Sequence, residues 1–221
     1  MSKIVHPYAH RLIILRDWKS RWFASPKQYT KFLKGDVLLR EYLEKKLRGM
    51  YVSQIDIERN QKTTRFIIRT SRPGLLIGRN GEGVTKLKDD ILKKMDSLKI
   101  ARPDDFKLEI LEITNPEADA AVVAYMVAEG LEKRMPYRRV MKQVIEKVMA
   151  APGVEGVRIV LGGRLGGAEI ARSEELKRGS IPLQTFRADI DFKRERANLP
   201  YGVIGIKVWV YRGKVFNTKS N

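Results

Sequence analysis

Leu75-Leu76-Ile77-Gly78-Arg79-Asn80-Gly81 follows two strand-like runs and opens a basic helical segment, and its last four residues govern the reading of the chain. Glycines at both ends of a polar pair let the backbone pass close to a phosphodiester, with no Cβ in the way and amides pointing outward. Gly78, Arg79, Asn80 and Gly81 therefore read as a clamp for an RNA backbone. The same four residues also suit an ordinary turn between helices, so the surrounding pattern has to separate the two readings.

Ser25-Pro26 begins a helical region in which Val37, Leu38, Tyr42, Leu43 and Leu47 share one face, and Gly49 stops it. Two strands follow as a hairpin. Ile55 and Ile57 alternate with Asp56 and Glu58, Phe66 and Ile68 alternate with Arg65, Ile67 and Arg69, and Asn60-Gln61-Lys62 is the turn. Beyond the two glycines a helix turns Val84, Leu87, Ile91 and Leu92 inward and Lys86, Lys88, Lys93 and Lys94 outward. A third strand alternates Phe106, Leu108 and Ile110 with Lys107 and Glu109. The order helix, strand, strand, helix, GxxG, helix, strand matches the second topological type of K-homology (KH) domain, a module that holds four nucleotides on its GxxG loop.

The 44 Lys and Arg residues face only 26 Asp and Glu, a formal charge of +18 that a polyanion or an anionic membrane would match. No apolar stretch reaches the ~20 residues that span a bilayer. Ile4–Leu15 is interrupted by His6, Pro7, His10 and Arg11 and does not form a secretory core. Nucleic acid is thus the expected partner, no membrane is expected, and the location is cytosolic. The chain has no cysteine, which fits a reducing compartment and excludes disulfides, thiolate metal sites and a cysteine nucleophile.

At about 100–200 residues per domain, 221 residues allow two. Residues 1–21 carry Lys3, Arg11, Arg16, Lys19 and Arg21 with Trp18 and no sustained period, and read as a basic arm. Residues 22–114 form the KH domain. Asn115-Pro116 marks the next boundary, with Asn115 as the cap and Pro116 in the first turn of a helix running to Arg134. Pro136 starts a second helix that ends at Ala150 before Pro152-Gly153. Strand signals follow in Val157, Ile159 and Leu161, in Phe186, Ala188, Ile190 and Phe192, and in Ile204, Ile206, Val208 and Val210. Residues 115–215 are therefore a second α+β domain, two helices on a sheet of three or more strands, and 216–221 a short tail. The whole chain is of the α+β class.

On the second of these helices Val140, Met141, Val144, Ile145 and Val148 cover one arc, while Arg138, Arg139 and Lys142 gather within roughly 100° on another. Only Glu146 is near them on the helix, so their repulsion is little relieved, and they read as a phosphate-facing cluster. Gly162-Gly163-Arg164-Leu165-Gly166-Gly167-Ala168-Glu169 follows a strand, yet Ala168-Glu169 stands where a Walker loop needs Lys and Ser or Thr. The loop, with Arg164 and Arg172, suits either close approach to a nucleic-acid backbone or a tight structural turn.

Catalytic chemistry finds little footing, and no cofactor or metal is expected. His6 and His10 are four apart, but Pro7 argues against their stacking on one helical face. Asp189 and Asp191 share a strand face with Arg187 and Lys193 and read as ion-paired. A nuclease or lyase would need a metal-binding carboxylate cluster or a buried lysine.

Longer blocks carry a resemblance: Val5-His6-Pro7; Arg16-Asp17-Trp18 with Ser20-Arg21-Trp22; Arg72-Pro73-Gly74 leading into Ile77–Gly81; Tyr137-Arg138-Arg139 with Met141-Lys142; Gly163–Glu174; Leu183–Asp191; and Tyr201–Trp209. Over nearly its whole length the chain resembles the S-three family of bacterial small-subunit ribosomal proteins. The resemblance implies a structural protein of the small-subunit head, bound to 16S-type ribosomal RNA beside the entrance of the messenger channel. It implies that Arg138, Arg139 and Lys142 line that entrance and help messenger RNA become single-stranded, with translocation supplying the work. Lys3, His6, Arg11, Arg16, Arg21, Arg72, Gly163, Arg164, Gly166, Gly167 and Arg172 are the implied ribosomal-RNA contacts, and small-subunit proteins ten and fourteen the implied neighbours. The chain departs from the family at Tyr8, Ala9, His10 and Ile13, and at Asn80, where the family often has lysine. A free KH-domain regulator acting outside the ribosome is the alternative.

Overall fold

The computed structural model describes residues 6–60, 63–98, 100 and 105–216. The chain divides into two compact units, one of residues 18–114 and the other of residues up to 17 together with 115 onward. One helical turn, α1 (Pro7–His10), belongs to the second of these.

The unit of residues 18–114 runs β1 (Ser20–Arg21), α2 (Pro26–Lys46), β2 (Val52–Arg59), β3 (Thr63–Thr70), α3 (Pro73–Ile77), α4 (Glu82–Ser97) and β4 (Asp105–Glu112). Its four-stranded sheet has the order β1-β2-β3-β4. The β2–β3 pair is antiparallel, with Ile57 opposite Phe66, while β4 lies parallel to β3 with Leu108 beside Phe66. The alternating strands and the helix stripes meet in one core of Leu39, Leu43, Ile57, Phe66, Ile68, Leu87, Ile91, Met95 and Phe106. At about 1.5–3 kcal/mol for each large apolar side chain removed from water, this core holds the helices to the sheet. The expected element order is present, although on α2 it is Leu39 that points inward, and Val37 stays 44% exposed. Two of the three expected turn residues, Gln61 and Lys62, lie outside the described residues.

Trp18 to Arg21 are not part of an arm. β1 pairs in parallel with β2, and Trp22 Nε1 donates to the buried Asp36 at 2.7 Å, where Arg59 Nε also donates at 3.0 Å.

In the other unit a short 3-10 turn, Pro116–Ala118, precedes α5 (Ala120–Glu132), α6 (Tyr137–Ala150), β5 (Gly156–Gly163), β6 (Arg172–Gly179), β7 (Ala188–Leu199) and β8 (Gly202–Lys214). Asn115 does not cap the first long helix. Asp119 does, its carboxylate accepting from the amides of Ala121 and Val122 at 2.9 and 3.2 Å, which moves the helix start four residues on. The antiparallel sheet has the order β6-β5-β8-β7. β6 escapes the sequence reading because it is a charged edge strand, largely exposed, with Leu176 as its only large apolar residue. Helices α5 and α6 cover one face of the sheet through Val123, Val127, Val140 and Ile145 over Val157, Ile159, Ile206 and Val208.

On the opposite face Ala188, Ile190, Phe192, Trp209 and Tyr211 form a smaller cluster at one end. Arg11 seals it from outside the sheet. The residue is fully buried, Nε donates to the Ala188 carbonyl at 2.6 Å, Nη1 to Pro7 at 2.9 Å, and Nη2 to Leu183 and Thr185 at 3.1 and 3.0 Å. Arg16 joins Asp189 at 2.6 Å. The reading of Arg11 as a ribosomal-RNA contact is therefore corrected, since its guanidinium is buried on carbonyls of the fold, whereas Arg16 is part-buried with one donor given to Asp189.

Candidate nucleic-acid interface

Gly78 ends α3 with φ +68°, Asn80 stands at φ +51° and Gly81 at φ +79°, three positive-φ positions out of four that reverse the chain into α4. A Cβ on Gly78 would lie 3.2 Å from the Gly83 amide nitrogen, and one on Gly83 only 2.3 Å from the Leu76 carbonyl oxygen. Gly83, absent from the sequence reading, is thus the third glycine that lets α4 abut α3. Its signal was one further glycine two residues past the motif. Arg79 and Asn80 project into solvent from this turn, and Arg72 at the start of α3 is exposed with its guanidinium 4.4 Å above the Tyr51 ring. An exposed, glycine-lined loop with an arginine at its tip can take a phosphodiester on either side.

Along α6 the arcs separate as the 3.6-residue period requires: Val140, Met141, Val144, Ile145 and Val148 are buried, and Arg138, Arg139 and Lys142 are exposed. Two arginines at the positive end of a helix repel its dipole. The relief comes from β6. Glu174 accepts from the Tyr137 hydroxyl at 2.7 Å and from Arg138 Nη2 at 3.3 Å, with Arg172 Nε at 3.8 Å. Arg172 also donates to the Tyr137 hydroxyl at 3.3 Å. The Tyr137 hydroxyl first, and Arg138 next, hold the Glu174 carboxyl below the usual glutamate range, and the same contact raises the Arg138 pKa. The three cations are therefore unequal: Arg138 has an acidic partner, while Arg139 and Lys142 have none among the described residues. Glu174 was invisible in the sequence because its strand was.

The glycine-rich loop lies against this cluster. Gly163, Gly166 and Gly167 have φ of +143°, +68° and +82°. A Cβ on Gly163 would stand 3.0 Å from the Val203 carbonyl oxygen, while Gly166 and Gly167 face the Tyr137 and Tyr201 rings. Leu165 anchors the loop in the core, and Arg164 laces it by donating to the carbonyls of Ala168 and Tyr201 at 2.9 and 3.3 Å. Chain geometry alone accounts for these glycines as a tight structural turn. Arg164 and Arg172 nonetheless remain exposed beside α6.

Of the other expected positions, Lys3 lies outside the described residues. His6 is exposed at the start of α1, its ring 4.7 Å from Phe192, and Arg21 is exposed with Glu58 at 3.3 Å. Asp189 and Asp191 are ion-paired as expected, with Arg16 and Arg212 as partners. Among the described residues no three His, Asp or Glu side chains gather as a metal site, and no helix is long and apolar enough to cross a membrane.

Two family models match the chain. Residues 38–118 fit the KH domain, and residues 127–210 fit the C-terminal domain of ribosomal protein S3. Among curated relatives, the small ribosomal subunit protein uS3 of Maridesulfovibrio salexigens is 44% identical over 217 residues, covering 98% of both chains. The uS3 proteins of Pseudomonas aeruginosa and Clostridium novyi are 45% and 41% identical over 220 residues, covering all of this chain and 93% and 96% of theirs.

Proposed function

The chain belongs to the family of the small ribosomal subunit protein uS3, and from that premise we propose that it binds ribosomal RNA in the small subunit and positions messenger RNA where it is drawn in, helping it to become single-stranded. The observation that carries the reading is the pair Arg139 and Lys142, exposed, without an acidic partner among the described residues, on a helix whose other arc is wholly buried. A cation on a rigid helix, already in place, can hold phosphates of two strands apart without ordering itself first. Arg138, tethered by Glu174, stands beside them and completes the cluster. Gly78–Gly81 serves as a backbone clamp, and Arg72, Arg21, His6, Lys3, Arg164 and Arg172 supply contacts to 16S-type ribosomal RNA. The expected protein neighbours are small-subunit proteins ten and fourteen, on the ribosome in the cytoplasm. The chain acts by binding, with no hydrolysis of its own.

Replacing Arg138, Arg139 and Lys142 together by Ala tests this. The buried arc is untouched, so the protein should still enter small subunits. Elongation through a message with a stable hairpin should slow several-fold more than elongation through a matched unstructured message. Equal slowing on both, or failure to assemble, would assign the cluster to general RNA binding or assembly instead.

A further inference from the structure

The face of the second sheet turned away from α5 and α6 carries three rows of side chains fixed by the strand register. The first is Lys177, Arg158, Trp209 and Phe192; the second Glu175, Val160, Lys207 and Arg194; the third Ser173, Gly162, Gly205 and Arg196. We infer that this face is a second RNA-binding surface, a seat for a phosphodiester backbone separate from the α6 cluster. The inference rests on the RNA-binding reading above and adds to it a site on residues that reading does not use.

Charge is the first argument. Five cations on these rows face one acid, Glu175, which is taken by Arg158 at 2.6 Å. Lys177 stands directly opposite Arg158, and Lys207 directly opposite Arg194. Like charges directly opposite across antiparallel strands destabilise a sheet; Glu175 relieves the first pair through Arg158, while the second, Lys207 with Arg194, has no acid beside it on these rows and favours an external anion. Lys177, Lys207 and Arg194 are exposed, and Lys177 and Lys207 have no acidic partner among the described residues. The guanidinium groups of Arg158 and Arg194 stand over aromatic rings, 4.8 Å from the centre of Trp209 and 5.4 Å from that of Phe192, which helps to hold them in place.

The second argument is the bare floor of the third row. Gly162 and Gly205 sit directly opposite each other in the two inner strands. Neither has the positive φ that would demand glycine. A Cβ on Gly162 would meet nothing within 4 Å, and one on Gly205 only the Gly162 carbonyl at an ordinary 3.7 Å. Glycine in a strand interior weakens it, and where neither conformation nor packing requires it, the remaining reason is close approach of something from outside. A bare floor edged by cations suits a phosphodiester backbone.

The test uses the full-length chain and a generic hairpin RNA with a duplex stem. The slope of log affinity against log salt counts neutralised phosphates, at about 0.9 per duplex contact. Relative to wild type, the variant Lys177→Gln, Arg194→Gln, Lys207→Gln should flatten that slope by about 2 to 3. Gly205→Val, which improves strand propensity, should leave thermal stability equal or higher and yet weaken binding several-fold. Wild-type acetylation of Lys177 and Lys207 should fall when the hairpin is added. A flat wild-type slope would overturn RNA binding altogether. A steep wild-type slope that Arg139→Gln, Lys142→Gln flattens, while both face variants bind as wild type does, would overturn this surface alone. Protection of Lys177 and Lys207 in assembled subunits but not by the hairpin would overturn it in favour of an acidic protein.

Discussion

Arg11 is the residue where charge and role part most sharply. It is one of many cations in a basic chain, yet its guanidinium closes the end of a sheet by donating to four carbonyls, one of them 177 residues away in sequence. Burial pulls its pKa down, with the charge of Asp189 opposing that, and guanidinium remains charged because its unperturbed value lies so high. Nothing in the sequence marks it, since burial depends on carbonyls that β7 and the segment before it present. Arg11→Met keeps the stem and strands those carbonyls. An unsatisfied buried acceptor costs about 1–3 kcal/mol, and partial wetting of the group leaves an expected loss of about 2–4 kcal/mol. Hydrogen exchange of β7 and β8 amides under rising urea reads this directly. Unchanged protection together with weaker RNA affinity would return Arg11 to the RNA contacts.

Elements were legible where both faces of the period showed. The strands β2, β3 and β4 announce themselves by alternation, and α4 and α6 by their apolar stripes, because each turns one regular apolar face into a core, even though Asp56 and Ile67 on the other face of β2 and β3 are buried as well. β6 has little of the first kind, and a strand that buries little cannot be told from a loop by pattern. The start of α5 failed for a different reason: Asn115-Pro116 is good capping chemistry, but Asp119, which is also a good cap, competes with it and wins. The junction of α3 and α4 sets two effects against each other at Gly83. Helix propensity alone says that Gly83→Ala should stabilise by about 1 kcal/mol. The Cβ would fall 2.3 Å from the Leu76 carbonyl and 2.9 Å from that of Ile77, and both are backbone atoms that cannot step aside cheaply. Overpacking of this kind costs typically about 1–3 kcal/mol and here acts on a closed turn, so it outweighs propensity. The expected outcome is a lower melting temperature for the KH unit and weaker single-strand RNA binding, read by thermal unfolding and a binding titration. A stabilised variant would show that the two helices are not in close approach.

At the scale of the molecule, a formal charge of +18 pointed to nucleic acid, and the element order named the KH domain, but the unit boundaries were only half legible. Asn115-Pro116 is a local break with turn chemistry, and the chain does divide there. Between Asp17 and Trp18 no break exists in composition, yet the chain divides there as well, because α1 and Arg11 pack on β7 while β1 pairs with β2. Residues 6–17 thus complete a sheet whose own strands begin more than a hundred residues later. A chain reduced to residues 115–221 would leave the Ala188, Ile190, Phe192, Trp209, Tyr211 cluster uncovered at that end and lose both the Arg11 bonds and the Arg16–Asp189 pair. Its unfolding free energy from urea titration should fall below that of the same unit in the full chain by about 2–4 kcal/mol, chiefly from the apolar surface of that cluster left to water, with the lost Arg16–Asp189 pair adding to it. A peptide of residues 1–17 added in trans should recover part of the loss, whereas Arg11→Met in that peptide should not. The piece 18–114 should unfold as it does in the full chain, since its core and its β1–β2 pairing are self-contained. If residues 115–221 alone matched the full chain in stability, the first seventeen residues would be an independent arm after all, and their cations would again be free for RNA.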